Sequence, residues 1–466
     1  MSKFLSSILV VVFFTPAVEA QADALLVGFG ETNVTPDPAK KPVWLAGFGQ
    51  NRKATKVHDP LMARAVVLAH DKKKIAIVSV DVVGLFNEVA QNIRKQLPGY
   101  SYVLVSSTHN HEGPDTMGLW GPNLFASGID LDYMKQLEAG IVAAIGKADK
   151  NKEPAGASIG TAPAPELLHD GREPYIKHDE LVALRFYDAR YKTTGIVVQW
   201  NCHPETLSSK NTEISSDYVG YTVAYLKNKF RCPVVYLTGT VGGLMTSLRV
   251  EVKDDAGKTL ADGTFEKTER FGVLVGKLAE KAFSAAKPVK LTPLEARTKS
   301  FFMPIDNQLY VLGFNLGVLK RDGFLWKGDP LKAEPAPAKI DPKVPMCIRS
   351  EVGWVKLGDL EIAAIPGEIY PELVLSKVQD PPDKGADFPD APIEPGIYAQ
   401  MKAKHRMIVG LANDEIGYII PKRQWDVKAP FCYGRKKAQY GEENSLGPET
   451  APILCEMFRV LANRAP

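Results

Sequence analysis

The chain has 466 residues, 45% hydrophobic and 24% charged, with a formal net charge of +3. A near-neutral balance without clustered basic residues excludes a nucleic-acid binder; Lys72-Lys73-Lys74 and Arg435-Lys436-Lys437 read as solvated turns. The length suits one large domain or two ordinary ones.

The first residues read as a secretory leader. Lys3 precedes an apolar run over residues 8–14, and Val18-Glu19-Ala20 is a small-residue cleavage site. That run is too short to cross a bilayer, so cleavage near Ala20 is expected, with residues 21–466 forming one exported domain, secreted or periplasmic. No later stretch approaches the roughly 18 apolar residues of a membrane helix. Five cysteines (Cys202, Cys232, Cys347, Cys432, Cys455) are an odd number with no C-x-x-C pair. A thiolate zinc site is therefore not expected, whereas one or two disulfides are open, Cys432 with Cys455 being the first candidate.

In chain order, short Val- and Ile-rich runs end in polar or ionisable residues. Residues 75–80 lead to Asp81, and 102–108 to His109 and His111. Residues 195–202 lead to His203, 234–237 to Thr238-Gly239-Thr240-Val241-Gly242-Gly243, and 360–367 to Glu368. Helical spacing is found over 131–148, 218–230 and 271–286. The segments 329–345 and 379–395 are rich in Pro and charged residues and read as surface loops. The pattern predicts an α/β fold, a mixed sheet core with flanking helices, with one site gathered at strand ends.

Two of only eight histidines fall in Thr108-His109-Asn110-His111-Glu112-Gly113-Pro114. Spaced two apart, they lie on one side of an extended segment. They can share a metal, or one can bind while the other handles protons. With His203 and Glu368, His109 completes two imidazoles and a carboxylate, a set that holds catalytic zinc and leaves room for water. His58, in His58-Asp59-Pro60, reads as turn chemistry. His70, His169, His178 and His405 read as surface or local hydrogen-bonding groups. The glycines at 239–243 lack the ending of a phosphate-binding loop and read as a tight strand-to-helix turn.

These motifs, in this order, resemble the catalytic domain of the neutral/alkaline non-lysosomal ceramidase family. The resemblance rests on Val27-Gly28-Phe29-Gly30-Glu31-Thr32-Asn33-Val34-Thr35-Pro36, on Val57-His58-Asp59-Pro60-Leu61-Met62-Ala63-Arg64, and above all on residues 108–114. Pro366-Gly367-Glu368 and Gly417-Tyr418-Ile419-Ile420-Pro421 extend it. The family resemblance implies Zn2+ held by His109, His203, Glu368 and Tyr418, with His111 moving the proton of an activated water. It also implies Arg172 near the reacting carbonyl and Tyr440 as a second active-site tyrosine. The implied reaction is hydrolysis of a non-peptide amide, such as that of an N-acyl sphingosine or another N-acyl lipid.

The chain departs from the family in three places. Met245, in Gly242-Gly243-Leu244-Met245-Thr246-Ser247, stands where the family carries a serine, so no serine nucleophile is assigned. The Tyr418 to Tyr440 spacing is longer, and no immunoglobulin-like C-terminal domain is expected. Two other readings stay open: a zinc esterase or amidase on a non-lipid substrate such as a carbohydrate-derived amide, or a non-catalytic secreted binding protein.

Overall fold

The computed structural model describes residues 24–463; the expected leader, residues 1–20, lies outside them. The α/β expectation holds, in the form of three large sheets around a shared interior, with three two-stranded ladders beside them. The first orders its strands as Tyr102–Ser107, Lys73–Val80, Met62–His70, Leu26–Asn33 and Glu153–Pro154. The second orders Val234–Thr238, Thr193–Trp200, Glu180–Tyr187, Gly156–Pro163 and Lys287–Pro288. The third is built on the long pair Leu294–Ile305 and Met346–Leu357, continued by Leu360–Ala364 and His405–Val409.

Each sheet is mainly antiparallel but contains one parallel step: Lys73–Val80 with Tyr102–Ser107, Thr193–Trp200 with Val234–Thr238, and Leu360–Ala364 with His405–Val409. Parallel neighbours are covered on both faces, which explains why these runs are Val- and Ile-rich without alternation. Their inner faces meet in one core, where Leu104, Val197, Leu237, Ile362 and Met407 are all buried. Chain exits from the parallel strands therefore lie side by side. Thr238 Oγ1 donates to the Thr108 carbonyl at 2.7 Å, and the Gly410 N–H donates to the Thr238 carbonyl at 2.9 Å.

Helices cover the outer faces. Leu131–Lys150 packs on the first sheet through Leu137, Ile141, Ala144 and Ala148, and Asp130 caps its start by accepting the N–H groups of Asp132 and Tyr133. The helix lies so close to the first strand that a Cβ at Gly28 or Gly30 would meet its carbonyls at 2.1 and 2.3 Å. This close approach accounts for both glycines of the opening motif. Asp217–Phe230 and Phe265–Ser284 pack together and cover the second sheet, and Thr450–Ala462 covers the third.

Three expectations need correction. Residues 329–345 are not all loop: Lys332–Pro335 pairs with Phe324–Asp329 as a hairpin on the third sheet, charged edge strands being tolerated where one face meets water. The glycine-rich turn after Val234–Thr238 leads to no helix; Met245–Thr246 pairs instead with His169–Asp170. All five cysteines are free and buried, so Cys432 and Cys455 are unpaired. Among the described residues no helix is long and apolar enough to cross a membrane.

Candidate metal centre

Four of the singled-out side chains converge where the parallel strands end. His109 follows Tyr102–Ser107 and takes a left-handed backbone, φ 66°, rare for a residue with a Cβ and kept where the surroundings dictate it. That turn aims Nδ1 at the Val83 carbonyl, 2.8 Å away. His203 follows Thr193–Trp200 and places Nδ1 2.9 Å from the Met245 carbonyl. A carbonyl only accepts, so both Nδ1 atoms carry a proton and both rings turn Nε2 inward. Ligating histidines are oriented by this kind of backbone partner. Met245 thus acts here through its main-chain carbonyl.

Both Nε2 atoms face the same carboxylate. Glu368 Oε2 lies 2.9 Å from His203 Nε2 and 3.3 Å from His109 Nε2. The Tyr418 hydroxyl is 3.5 Å from His203 Nε2, placed by the parallel pairing of Glu368 with Tyr418. Lone pairs on two imidazoles cannot approach a carboxylate oxygen without positive charge between them. Either protons or a cation must supply it. Burial alone would raise the Glu368 carboxyl, yet His109 and His203 hold it well below the usual carboxylate range. Burial lowers His203, but the Glu368 hydrogen bond and the charge of Glu205 outweigh it and raise the ring's pKa. Burial and the Glu368 charge push the Tyr418 phenol up, keeping it protonated. Two nitrogen and two oxygen donors, all buried and grouped side by side, form a set that suits a metal ion.

His111 differs from its neighbours. It is buried, yet neither ring nitrogen has a hydrogen-bond partner. The three imidazoles His109, His111 and His203 offer ligand atoms within 4.8 Å of one another, so His111 is close enough to share an ion. Burial, then the neighbouring His109 and His203, lower its pKa well below the ordinary histidine range, leaving a neutral ring. Glu205 Oε2 lies 3.6 Å from its Nδ1, too far for a hydrogen bond but placed to orient it. Sequence reasoning passed over Glu205, although it sits two residues beyond His203. The Phe48 ring packs edge-on at 4.9 Å, and Gly47, at φ 94°, leaves no room for a side chain beside the imidazole. Beneath it, Arg52 donates to the His111 carbonyl at 3.1 Å and to Glu112 at 2.6 Å, fixing the turn.

The other candidates fall outside the centre or at its edge. Arg172 is buried with both terminal nitrogens engaged: Nη1 donates to Glu442 Oε2 and the Tyr440 carbonyl, and Nη2 to Glu442 Oε1 and the Gln424 carbonyl, all at 2.7–2.8 Å. This differs from the expected donor to a reacting carbonyl; its terminal N–H groups are spent on protein acceptors, and it braces the segment bearing Tyr440. The Tyr440 ring stands 5.8 Å from Tyr418 and its hydroxyl accepts Asn444 Nδ2 at 2.8 Å. Asp81 is held by Arg64 at 2.8 Å and caps the first sheet. His58 bonds Asp59 and stacks on Phe265, as turn chemistry requires. Ser247 bonds Thr206 at 2.7 Å in the buried interior.

His109, His111, Glu368, Tyr418 and Tyr440 line one part of a cavity of about 350 Å³ whose remaining wall is mostly apolar. Residues 25–166 match the family model of the neutral/alkaline non-lysosomal ceramidases, N-terminal. The resemblance read from the motifs is thereby borne out. The whole fold is similar to the crystal structure of neutral ceramidase from Pseudomonas aeruginosa, with a TM-score of 0.71 at 16% identity, covering 94% of this chain and 74% of that one. A ceramidase complexed with C2 superposes with a TM-score of 0.69, also at 16% identity, over 94% of this chain and 75% of that one.

Proposed function

We propose that this protein is a zinc-dependent, ceramidase-like hydrolase that cleaves a non-peptide amide in an amphiphile, such as an N-acyl sphingosine or another N-acyl lipid. The observation that carries the reading is the buried convergence of His109, His203 and Glu368 on one point, opening into an apolar cavity. The family match over residues 25–166 supports the reaction class. His109, His203, Glu368 and Tyr418 would hold the ion. Zinc bound there supplies Lewis-acid polarisation of a carbonyl and brings the pKa of a water toward neutrality.

The chain's own groups do the rest. His111, neutral and with both nitrogens free, takes up a proton beside the scissile bond and returns it to the departing amine. Tyr440, facing the cavity, offers its hydroxyl to the developing oxyanion. Arg172 keeps the Tyr440 segment in place through Glu442. The apolar walls seat a hydrocarbon chain and exclude water. Residues 21–466 form the hydrolase domain of a secreted or periplasmic protein once the leader is removed near Ala20.

Turnover of a short-chain N-acyl sphingosine by the zinc-loaded protein, compared with simple esters and N-acetyl sugars, tests the substrate class. Preferential release of fatty acid from the amide supports the reading. Preference for the ester or the sugar amide overturns its substrate, and metal binding without any turnover favours a binding protein.

A further inference from the structure

Away from the metal ligands, the cavity wall is built from Phe86, Met117, Trp120, Leu319 and Ile348. One carboxyl group interrupts it. Glu415 lines the cavity and is only 4% exposed. Its Oε1 accepts the Gly417 N–H at 2.8 Å, while its Oε2 is buried with no partner. The cation on the same wall does not reach the carboxyl. Arg321 Nη2 donates to Asp414 Oδ2 at 3.0 Å and to the Arg349 carbonyl at 3.3 Å. Its Nη1 contacts only the main-chain carbonyl of Glu415, at 3.4 Å. The guanidinium also lies 4.5 Å from the centre of the Phe86 ring.

The Glu415 side chain is wedged in place. A Cβ at Gly84 would come within 2.7 Å of both Glu415 Cγ and Met117 Sδ, so this corner has no slack into which the carboxyl could turn. A buried polar oxygen without a partner is costly, and this one belongs to a side chain on the cavity wall, where a ligand can supply the missing partner. An alkyl chain alone leaves it unmatched. A hydroxyl both donates and accepts, so it satisfies this oxygen whether or not the carboxyl holds a proton, and it brings no charge into the apolar wall.

Resting on the amphiphile-hydrolase reading above, we infer that Glu415 is a specificity-determining residue whose free carboxyl oxygen shares a hydrogen bond with a hydroxyl carried on the substrate's chain. The site then rejects analogues lacking that hydroxyl, because the analogue strands the buried carboxyl oxygen.

The test is calorimetric binding to the zinc-loaded full chain of two matched pairs: decanoate against α-hydroxydecanoate, and decylamine against its hydroxymethyl derivative. The pairs place the hydroxyl on the acyl or the amine side of the cleaved bond. The wild type is expected to bind at least one hydroxylated member about tenfold tighter than its plain partner. Glu415→Leu erases that preference by weakening only the hydroxylated member, while Glu415→Gln, of the same shape and still hydrogen-bonding, keeps most of it. Should Glu415→Leu lack a native melting transition, Glu415→Met, nearer in length, takes its place. Equal affinities within both wild-type pairs, or a preference that survives loss of the carboxyl, overturns the assignment. Hydrolysis of the corresponding N-decanoyl amides is scored separately: preference without turnover sinks the hydrolase reading and spares Glu415, and turnover without preference does the reverse.

Discussion

Arg172 offers the sharpest separation between a brace and a catalytic donor. Its guanidinium makes four short hydrogen bonds, two of them to a single carboxylate, and both partners are buried. Arg172→Met keeps much of the stem but strands Glu442 and the carbonyls of Tyr440 and Gln424. Removing one member of a buried, hydrogen-bonded pair costs about 3–5 kcal/mol. Glu442 limits the loss, since burial already raises its pKa and Arg172, more than the backbone N–H groups beside it, draws it back down; without the arginine it can take up a proton. The destabilisation is therefore expected to be larger at pH 8 than at pH 5. Arg172→Lys should not rescue, because an ammonium cannot make the paired contact, whereas Arg172→Met with Glu442→Leu should recover part of the loss. Urea unfolding followed by tryptophan fluorescence reads these changes. Wild-type stability in Arg172→Met, combined with a fall in kcat alone, would refute the bracing role and return Arg172 to the reacting carbonyl.

Other expectations follow from single contacts. In Gly47→Ala the new Cβ would lie 2.2 Å from the His111 ring, so kcat/KM should fall roughly 100-fold while metal content stays unchanged; loss of the metal instead would make His111 a ligand. Burial raises Glu372 to about 7 from an ordinary 4.5. The proton is held more tightly in the folded state, so this group's stabilising contribution is complete below pH 4.5 and is lost as pH rises through 7. Glu372→Gln should flatten the stability profile across that window, and an unchanged slope would contradict the assignment. Thiol titration of the unfolded, unreduced protein should count all five cysteines; a count of three would establish a disulfide.

The strand ends were legible because a run buried on both faces must be apolar and its first polar residue marks the exit. That reasoning located His109, His203 and Glu368, and it also marked Asp81, which turns instead to Arg64. Pairings across long separations were not legible. Nothing local to Arg172 announces Glu442, 270 positions later, and so its role was read from the family alone. Glu205 and Glu415 look like solvated glutamates in sequence, and only packing shows that one faces His111 and the other an apolar cavity. The left-handed turn at His109 is likewise set by neighbouring sheets rather than by its own propensity. The hairpin over 324–335 was missed because its second strand is charged and edge-exposed, with no hydrophobic alternation to betray it.

Metal analysis of the purified protein, alongside His203→Ala, tests the central claim most directly. About one zinc per chain in the wild type, lost in the variant, is the predicted result. Wild-type protein that carries no metal when purified and takes up none from zinc-containing buffer, or zinc that persists undiminished without His203, would contradict it.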